Sequence, residues 1–418
     1  MAQLSDDCFA FGGTLLPVEE AARLMAEHVP PVTETEKVSL LDALGRVIAR
    51  DLVSTVALPP FDNSAVDGYA VRHADLAAAG ESRLKTAGRV QAGSRTAGVI
   101  EAGQAIRIFT GAPMPQGADT VFMQEDVRAE DGTMVAPAGL KKGANRRLTG
   151  EDLKSGAVAL PAGRRLGPQD IALAAAIGLT HLEVRRRPRV AVFSTGDEIA
   201  EPGTPLGANA LYDANRFLLL ALLRAAGAEA HDLGILKDDP ASLAPAIEAA
   251  ASGHDLILTS GGVSTGEADF VKSAVEKIGK LVFWRLAIKP GRPVAMGVVR
   301  GTAFAGLPGN PVAVFVTFVH VVRPLLMRLA GALFAPVAAM PVRAAFSYRK
   351  KKGRREYVRV GLRRGADGAI EAIKHPQEGA GILTSLTETD GLAELEEDRL
   401  EVTPGSTVGF LSYASLIG

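Results

Sequence analysis

A strand that ends in a glycine turn and feeds a helix constrains this chain more than any other stretch. Residues 255–269 read Asp-Leu-Ile-Leu-Thr-Ser-Gly-Gly-Val-Ser-Thr-Gly-Glu-Ala-Asp. Leu256 to Leu258 is a short apolar run behind polar His254 and Asp255, which predicts a buried strand of a parallel sheet. The run ends in Ser260-Gly261-Gly262, and a helical segment begins near Asp269. Open α/β sheets bind ligands at turns of this kind, where exposed N–H groups can cradle phosphate. Asp269 has two readings: a cap for the helix, or a ligand of a divalent cation that bridges to the phosphate.

The neighbouring sequence repeats the rhythm. Strand patterns at Val190–Phe193, Ala230–Leu236, Val282–Ile288, Val294–Val299 and Ala303–Leu307 alternate with helical patterns at 213–226, 241–251 and 271–278. Asp213 is placed to cap its helix and Gly227 to stop it. Pro308-Gly309-Asn310-Pro311 turns into a long apolar helix to about Leu329. This alternation predicts a doubly wound α/β domain.

The flanks read differently. Residues 17–28 carry apolar positions at helical spacing and stop at Pro30-Pro31; Val38 to Arg50 shows a second helical pattern. Residues 70–149 are glycine-rich with short β-prone runs at 105–109, 120–123 and 134–137, and Asp131-Gly132 is a hairpin signal. They predict a small barrel or sandwich, followed by a short helix over 169–178. Residues 342–418 are again β-like, with runs at 357–360, 369–373 and 408–411. The basic run Arg349–Lys352 with Arg354 and Arg355 either guards an edge strand or reaches an anionic ligand. The chain is therefore α/β and β multidomain, and 418 residues suit two to four domains.

A net charge of −1 argues against non-specific nucleic-acid binding. The single cysteine, Cys8, excludes an intramolecular disulfide framework and a cysteine-cluster zinc site. The acidic start, with Asp6 and Asp7, predicts no secretory signal. The apolar stretches 217–223 and 311–322 are too short to span a bilayer, so the expectation is a cytoplasmic protein without a membrane segment.

Four polar loops fall at carboxyl ends of strands in the α/β region: 195–198, 237–240, 260–269 and 308–311. Their gathering on one edge would bring Asp197, Glu198, Asp238, Asp239, Glu267 and Asp269 together. Such a set calls for cations, and Mg²⁺ takes one or two carboxylates plus phosphate oxygens. The bland reading has these acids as caps and turns. Lys289 and Arg292, in a loop stiffened by proline and glycine, supply positive charge for an anion. Asp62, Asn63 and Ser64 are turn chemistry or a site. Gly262-Val263-Ser264-Thr265-Gly266 also fits the hydrolase elbow, with His320 and His375 downstream, but no oxyanion motif precedes it and the carboxylates stay unexplained. No Walker A motif occurs.

The ordered set Asp-Asn-Ser-Ala-Val-Asp-Gly-Tyr-Ala-Val (62–71), Thr-Gly-Ala-Pro (110–113), Thr-Gly-Asp-Glu (195–198), 260–269, Lys-Pro-Gly-Arg-Pro (289–293) and Leu-Pro-Gly-Asn-Pro-Val (307–312) resembles the molybdopterin molybdenumtransferase family, the MoeA proteins and the E domain of gephyrin. The resemblance spans nearly the whole chain. It implies insertion of molybdate into adenylylated molybdopterin with Mg²⁺-assisted release of AMP. It implies an elongated homodimer of four-domain subunits: a connecting domain (28–55 and 150–183), a β-rich barrel-like lobe (56–149), a molybdopterin-binding type α/β domain (12–27 and 184–332) and a C-terminal β domain (337–418). Upstream and downstream enzymes of cofactor assembly are expected partners.

Residue by residue, the resemblance assigns catalysis to Asp62, Thr110, Glu198, Asp238, Asp269 and Lys289. Glu198, Asp238 and Asp269 would hold the metal. Asp152, Gly261, Gly262, Ser264, Arg292, Pro308, Pro311, Arg354 and Ser385 would bind substrate. Ala313 departs from relatives with serine there, and Arg285 from those with lysine. Two other classes stay open: a scaffold, disfavoured by the lack of long linkers, and a pterin-adenylylating enzyme, disfavoured by the lobe of residues 56–149.

Overall fold

The computed structural model describes residues 4, 5, 9, 15–95, 97–237, 239–261 and 270–417. At its centre a six-stranded sheet runs in the order Glu229–Leu236, Arg189–Thr195, Leu256–Ser260, Thr302–Leu307, Pro293–Val299, Gly279–Arg285. The first four strands are mutually parallel, and the last two continue antiparallel. Leu256–Ser260 lies between two parallel neighbours and is buried along its length, which is why its sequence is a continuous apolar run. Two apolar layers cover the sheet. One holds Val190, Leu258 and Ala305 against the helices Ala214–Ala225 and Pro311–Thr317. The other holds Phe193, Ile257 and Phe304 against Pro240–Ala251 and Phe270–Ile278.

Helix Ala214–Ala225 starts as its sequence predicts, with the Asp213 carboxylate accepting from Arg216 N. The same arginine is 2% exposed and also binds Asp232 at 2.5 Å and Glu201. The long helix passes from Pro311–Thr317 through a π-helical segment, Phe318–Val322, into Arg323–Leu329. Pro324 cannot donate to a carbonyl one turn back, and the π segment directly before it absorbs the mismatch. Contrary to the sequence expectation, the continuous helix reaches a membrane-spanning length: 19 residues with mean hydropathy 1.7. However, 83% of it is buried inside the protein.

The helical pattern over Val38–Arg50 does not form a helix. Thr35–Ser39 is a strand paired with His181–Arg185, and Val47 and Ile48 bridge to Arg165 and Val184. Leu41 is 88% exposed and Leu44 52%, while Val47 and Ile48 are buried, so the apolar positions do not share one face as a helix would require. Beyond it, residues 63–147 carry a six-stranded sheet with an apolar cluster on each face. Asp131 and Gly132 take positive φ angles of 46° and 76° and turn Arg128–Glu130 into Thr133–Pro137.

The C-terminal strands close on themselves. Arg355–Arg364 pairs with both Ile370–Lys374 and Gly391–Leu395. The ring is completed through Thr407–Ser412 and Met340–Ala344. The short strand Ile288–Lys289 leaves the α/β domain and pairs in parallel with Arg355 and Glu356, so a backbone ladder crosses the domain boundary.

Candidate active site

The four parallel strands deliver their carboxyl ends to one edge, and the described parts of the polar loops lie there. Gly261, with φ +83°, donates its N–H to Leu307 O at 3.1 Å, and Ser260 Oγ donates to Pro308 O at 3.2 Å. Asn215 reaches Gly309 O at 2.7 Å. Pro308 is half-buried, and Pro311 opens its helix. Glu198 is exposed and folds back over Gly196, where an added Cβ would lie 2.7 Å from its Oε2. Asp197 is also exposed. Asp239 takes the capping role, accepting from Ala241 N at 3.2 Å. Asp238, Gly262, Ser264, Glu267 and Asp269 lie outside the described residues. Among the described residues no three acidic or histidine side chains form a metal-holding group. Of the three carboxylates that the resemblance gives to the metal, Glu198 is the one among the described residues, and it offers the hard oxygen donor that Mg²⁺ prefers.

A basic cleft adjoins this edge, between the α/β domain and the barrel. Lys289, Pro290, Tyr348, Arg359, Lys374 and His375 line it. Lys289 Nζ donates to Tyr348 Oη at 3.0 Å and lies 3.3 Å from Glu356. Burial pushes its ammonium pKa down, but the Tyr348 bond and the Glu356 charge outweigh burial and hold it above the usual lysine value. Arg354 Nε donates to Glu356 at 2.7 Å, so two residues named by the resemblance meet on one carboxylate. Arg292, three residues after Lys289, is exposed. Gly291 has φ +102°, and a Cβ there would sit 2.4 Å from Thr317 Oγ1, so only glycine lets this loop lie on the helix. Ala313 is buried beneath the same loop. Ser385 is fully buried: its hydroxyl accepts from Arg359 Nε at 3.0 Å and donates to Ile382 O at 2.6 Å. It reaches the cleft through Arg359. Val312 N donates to Ala380 O at 3.0 Å and joins the sheet edge to the segment carrying Ser385.

Asp62, Thr110 and Asp152 make their hydrogen bonds within the β-rich lobe and its base. Asp62 accepts from Thr149 N and Oγ1, both at 2.7 Å, and from the Arg146 guanidinium. Burial raises its pKa, but Arg146 and Thr149 more than offset that and hold it at about 2. Thr110 donates its N–H and its hydroxyl to Asp67, each at 2.8 Å. Asp152 is exposed, with its N–H on Leu58 O. Asp67, Arg146, Tyr348, Glu356 and Arg359 escaped the sequence reading. The i, i+2 pair Arg354 and Glu356 was the one local signal, since such residues share a strand face. The histidines of the hydrolase alternative are otherwise engaged. His320 stacks on Tyr357 with centroids 4.1 Å apart, its pKa pushed to about 3 by burial and by Arg355 and Arg323; His375 bonds Glu388 at 2.9 Å.

A parallel α/β sheet with a glycine-turn edge, walled by a closed barrel and tied to a separate β-rich lobe, defines a multidomain protein whose sheet edge is of the ligand-binding type. Three family models tile it: the MoeA N-terminal region (domain I and II) over residues 16–178, the probable molybdopterin binding domain over 191–328, and the MoeA C-terminal region (domain IV) over 341–413. The chain belongs to the MoeA family. It is 39% identical over 412 residues to the molybdopterin molybdenumtransferase of Haemophilus influenzae, covering 97% of this chain and all of that one. It is 35% identical to the protein of that name from a Nostoc species, covering 94% and 92%. The crystal structure of the molybdopterin biosynthesis moeA protein of Pyrococcus horikoshii OT3 matches with a TM-score of 0.81 at 31% identity, over 96% of this chain and all of that one.

Proposed function

We infer that this chain is a molybdopterin molybdenumtransferase, which inserts molybdate into adenylylated molybdopterin and releases AMP. The relatives' shared name supports the reading, and one observation carries it: Val312, directly after the 308–311 loop of the turn edge, bonds Ala380, which lines the Lys289 cleft. Gly261 and the 308–311 loop, with Gly262 and Ser264, take the nucleotide phosphates. Lys289, Arg292 and Arg354 attract the molybdate oxyanion. Mg²⁺, held by Glu198, Asp238 and Asp269, would supply charge neutralisation at the phosphoanhydride.

The resemblance gives site roles to Asp62 and Thr110, whose side chains bond within the β-rich lobe, and to Asp152 at its base, a separation that favours a homodimer in which the lobe of a second copy completes the site. A cytoplasmic location accords with this chemistry.

The test is a titration of molybdate against AMP release. Release should require molybdate and a divalent cation. Lys289→Ala should raise the half-saturating molybdate concentration about tenfold, as loss of one charge-assisted bond predicts. Release that ignores molybdate, or no release at all, would reject the reading.

A further inference from the structure

We propose that Glu356 is the positioning residue of the basic cleft: its one buried carboxylate fixes Lys289 from the α/β domain and Arg354 from the barrel at a set separation, so that both face a single oxyanion. The inference rests on the reading of the cleft as the molybdate site.

Glu356 is 1% exposed, and both of its oxygens are used. Oε1 accepts from Arg354 Nε at 2.7 Å, while Oε2 accepts from Tyr348 Oη at 2.7 Å and faces Lys289 Nζ at 3.3 Å. An ammonium only donates, so the phenol oxygen must accept from Lys289 and give its own proton to Glu356. The order Lys289, Tyr348, Glu356 therefore has one direction. Two of the three Lys289 N–H groups point into this network, and the side chain stays 44% exposed, which leaves the third for a ligand. Arg354 uses Nε on Glu356 and keeps its terminal nitrogens. One carboxylate between two cations leaves the cluster a net positive charge. Two long side chains on separate domains would otherwise lose much rotamer freedom in meeting one ligand; the shared anion settles that cost before binding. A buried ion cluster adds little to stability that apolar packing could not supply, so its use lies in placement.

Glu356→Gln keeps the shape and removes the charge. Two readouts follow. The first needs no substrate: acylation of Lys289 measured by mass spectrometry against pH. Tyr348, Glu378, Lys374, Arg359 and His375, which line the cleft with Lys289, and Arg354 on the same carboxylate are all left in place by the substitution, so only the Glu356 charge is removed. The lysine should lose its proton, and react, at lower pH in the variant. The second is molybdate dependence of AMP release. The half-saturating concentration should rise about tenfold, with the rate at saturating molybdate within about twofold of wild type. If Glu356→Gln does not fold, Tyr348→Phe keeps the carboxylate and should shift both readouts the same way by a smaller factor. An unmoved Lys289 profile in a folded variant overturns the proposal. So does loss of maximal rate with unchanged half-saturation. A shifted profile in an enzyme whose wild type ignores molybdate would uphold the positioning and reject the molybdate reading.

Discussion

Asp62→Ala separates two roles that one carboxylate can hold. The family resemblance gives Asp62 a part in catalysis, yet the structure shows it as a clasp. Its oxygens take two bonds from Thr149 at 2.7 Å and the Arg146 guanidinium, drawing the 62–65 loop onto residues 145–149. Ala65 N bonds Asn145 O across the same joint, so this amide opens when the clasp opens. Hydrogen bonds to a charged group contribute about 1.5–3 kcal/mol each. The Asp62 side chain is 30% exposed and its bonds are shared, so about 2–3 kcal/mol is the discounted total for local opening. That corresponds to about 30- to 150-fold faster opening equilibria. A multidomain chain has no single unfolding free energy, so the assay is hydrogen exchange by mass spectrometry on peptides covering 62–69 and 144–150. Those peptides should exchange faster by that factor, while peptides over Leu256–Ser260 stay unchanged. Normal exchange combined with lost AMP release would refute the clasp argument and place Asp62 on the substrate.

Other outcomes are equally definite. The Asp62 contribution should also fade with acid. Its folded pKa is depressed, so the stabilisation is complete above about pH 4 and vanishes as pH falls through about 2; the difference in exchange of peptides 62–69 and 144–150 between wild type and Asp62→Asn should shrink over that window, and a constant difference would count against it. Arg216→Leu strands Asp213 and Asp232 without their cation and should cost the α/β domain about 3–5 kcal/mol, a fall of roughly 6–20 °C in that domain's own melting transition; a change of a degree or two would show that water relieves the carboxylates. Light scattering at micromolar protein should give twice the 43.6 kDa chain mass, and a monomer alone would sink the shared-site proposal.

Much of the fold was legible because local chemistry wrote it. The apolar run at Leu256–Leu258, the Asp213 cap and the Asp131-Gly132 turn each specify their own geometry within a few residues. Val38–Arg50 misled because Leu40, Leu41 and Leu44 mimic a helix face, while the pairing of Thr35–Ser39 with a strand nearly 150 residues away decides the matter. The sheet edge could be anticipated from the parallel order of its strands. The cleft could not. Tyr348 and Glu356 acquire meaning only when Ile288–Lys289 docks beside Arg355 and Glu356, and no sequence window contains both sides.

That two-residue ladder has a consequence for how the cleft can vary. Paired strands shift only in whole residues, about 3.3 Å at a time, and a single step turns alternate side chains to the opposite face. Lengthening the 285–293 loop or the 348–355 turn by one residue would therefore not widen the cleft slightly. It would rotate Lys289 or Glu356 out of it altogether. The gap between the two walls is quantised by the backbone, so fine tuning toward a larger or smaller oxyanion has to come from exchanging side chains along fixed positions, with both walls changing in concert.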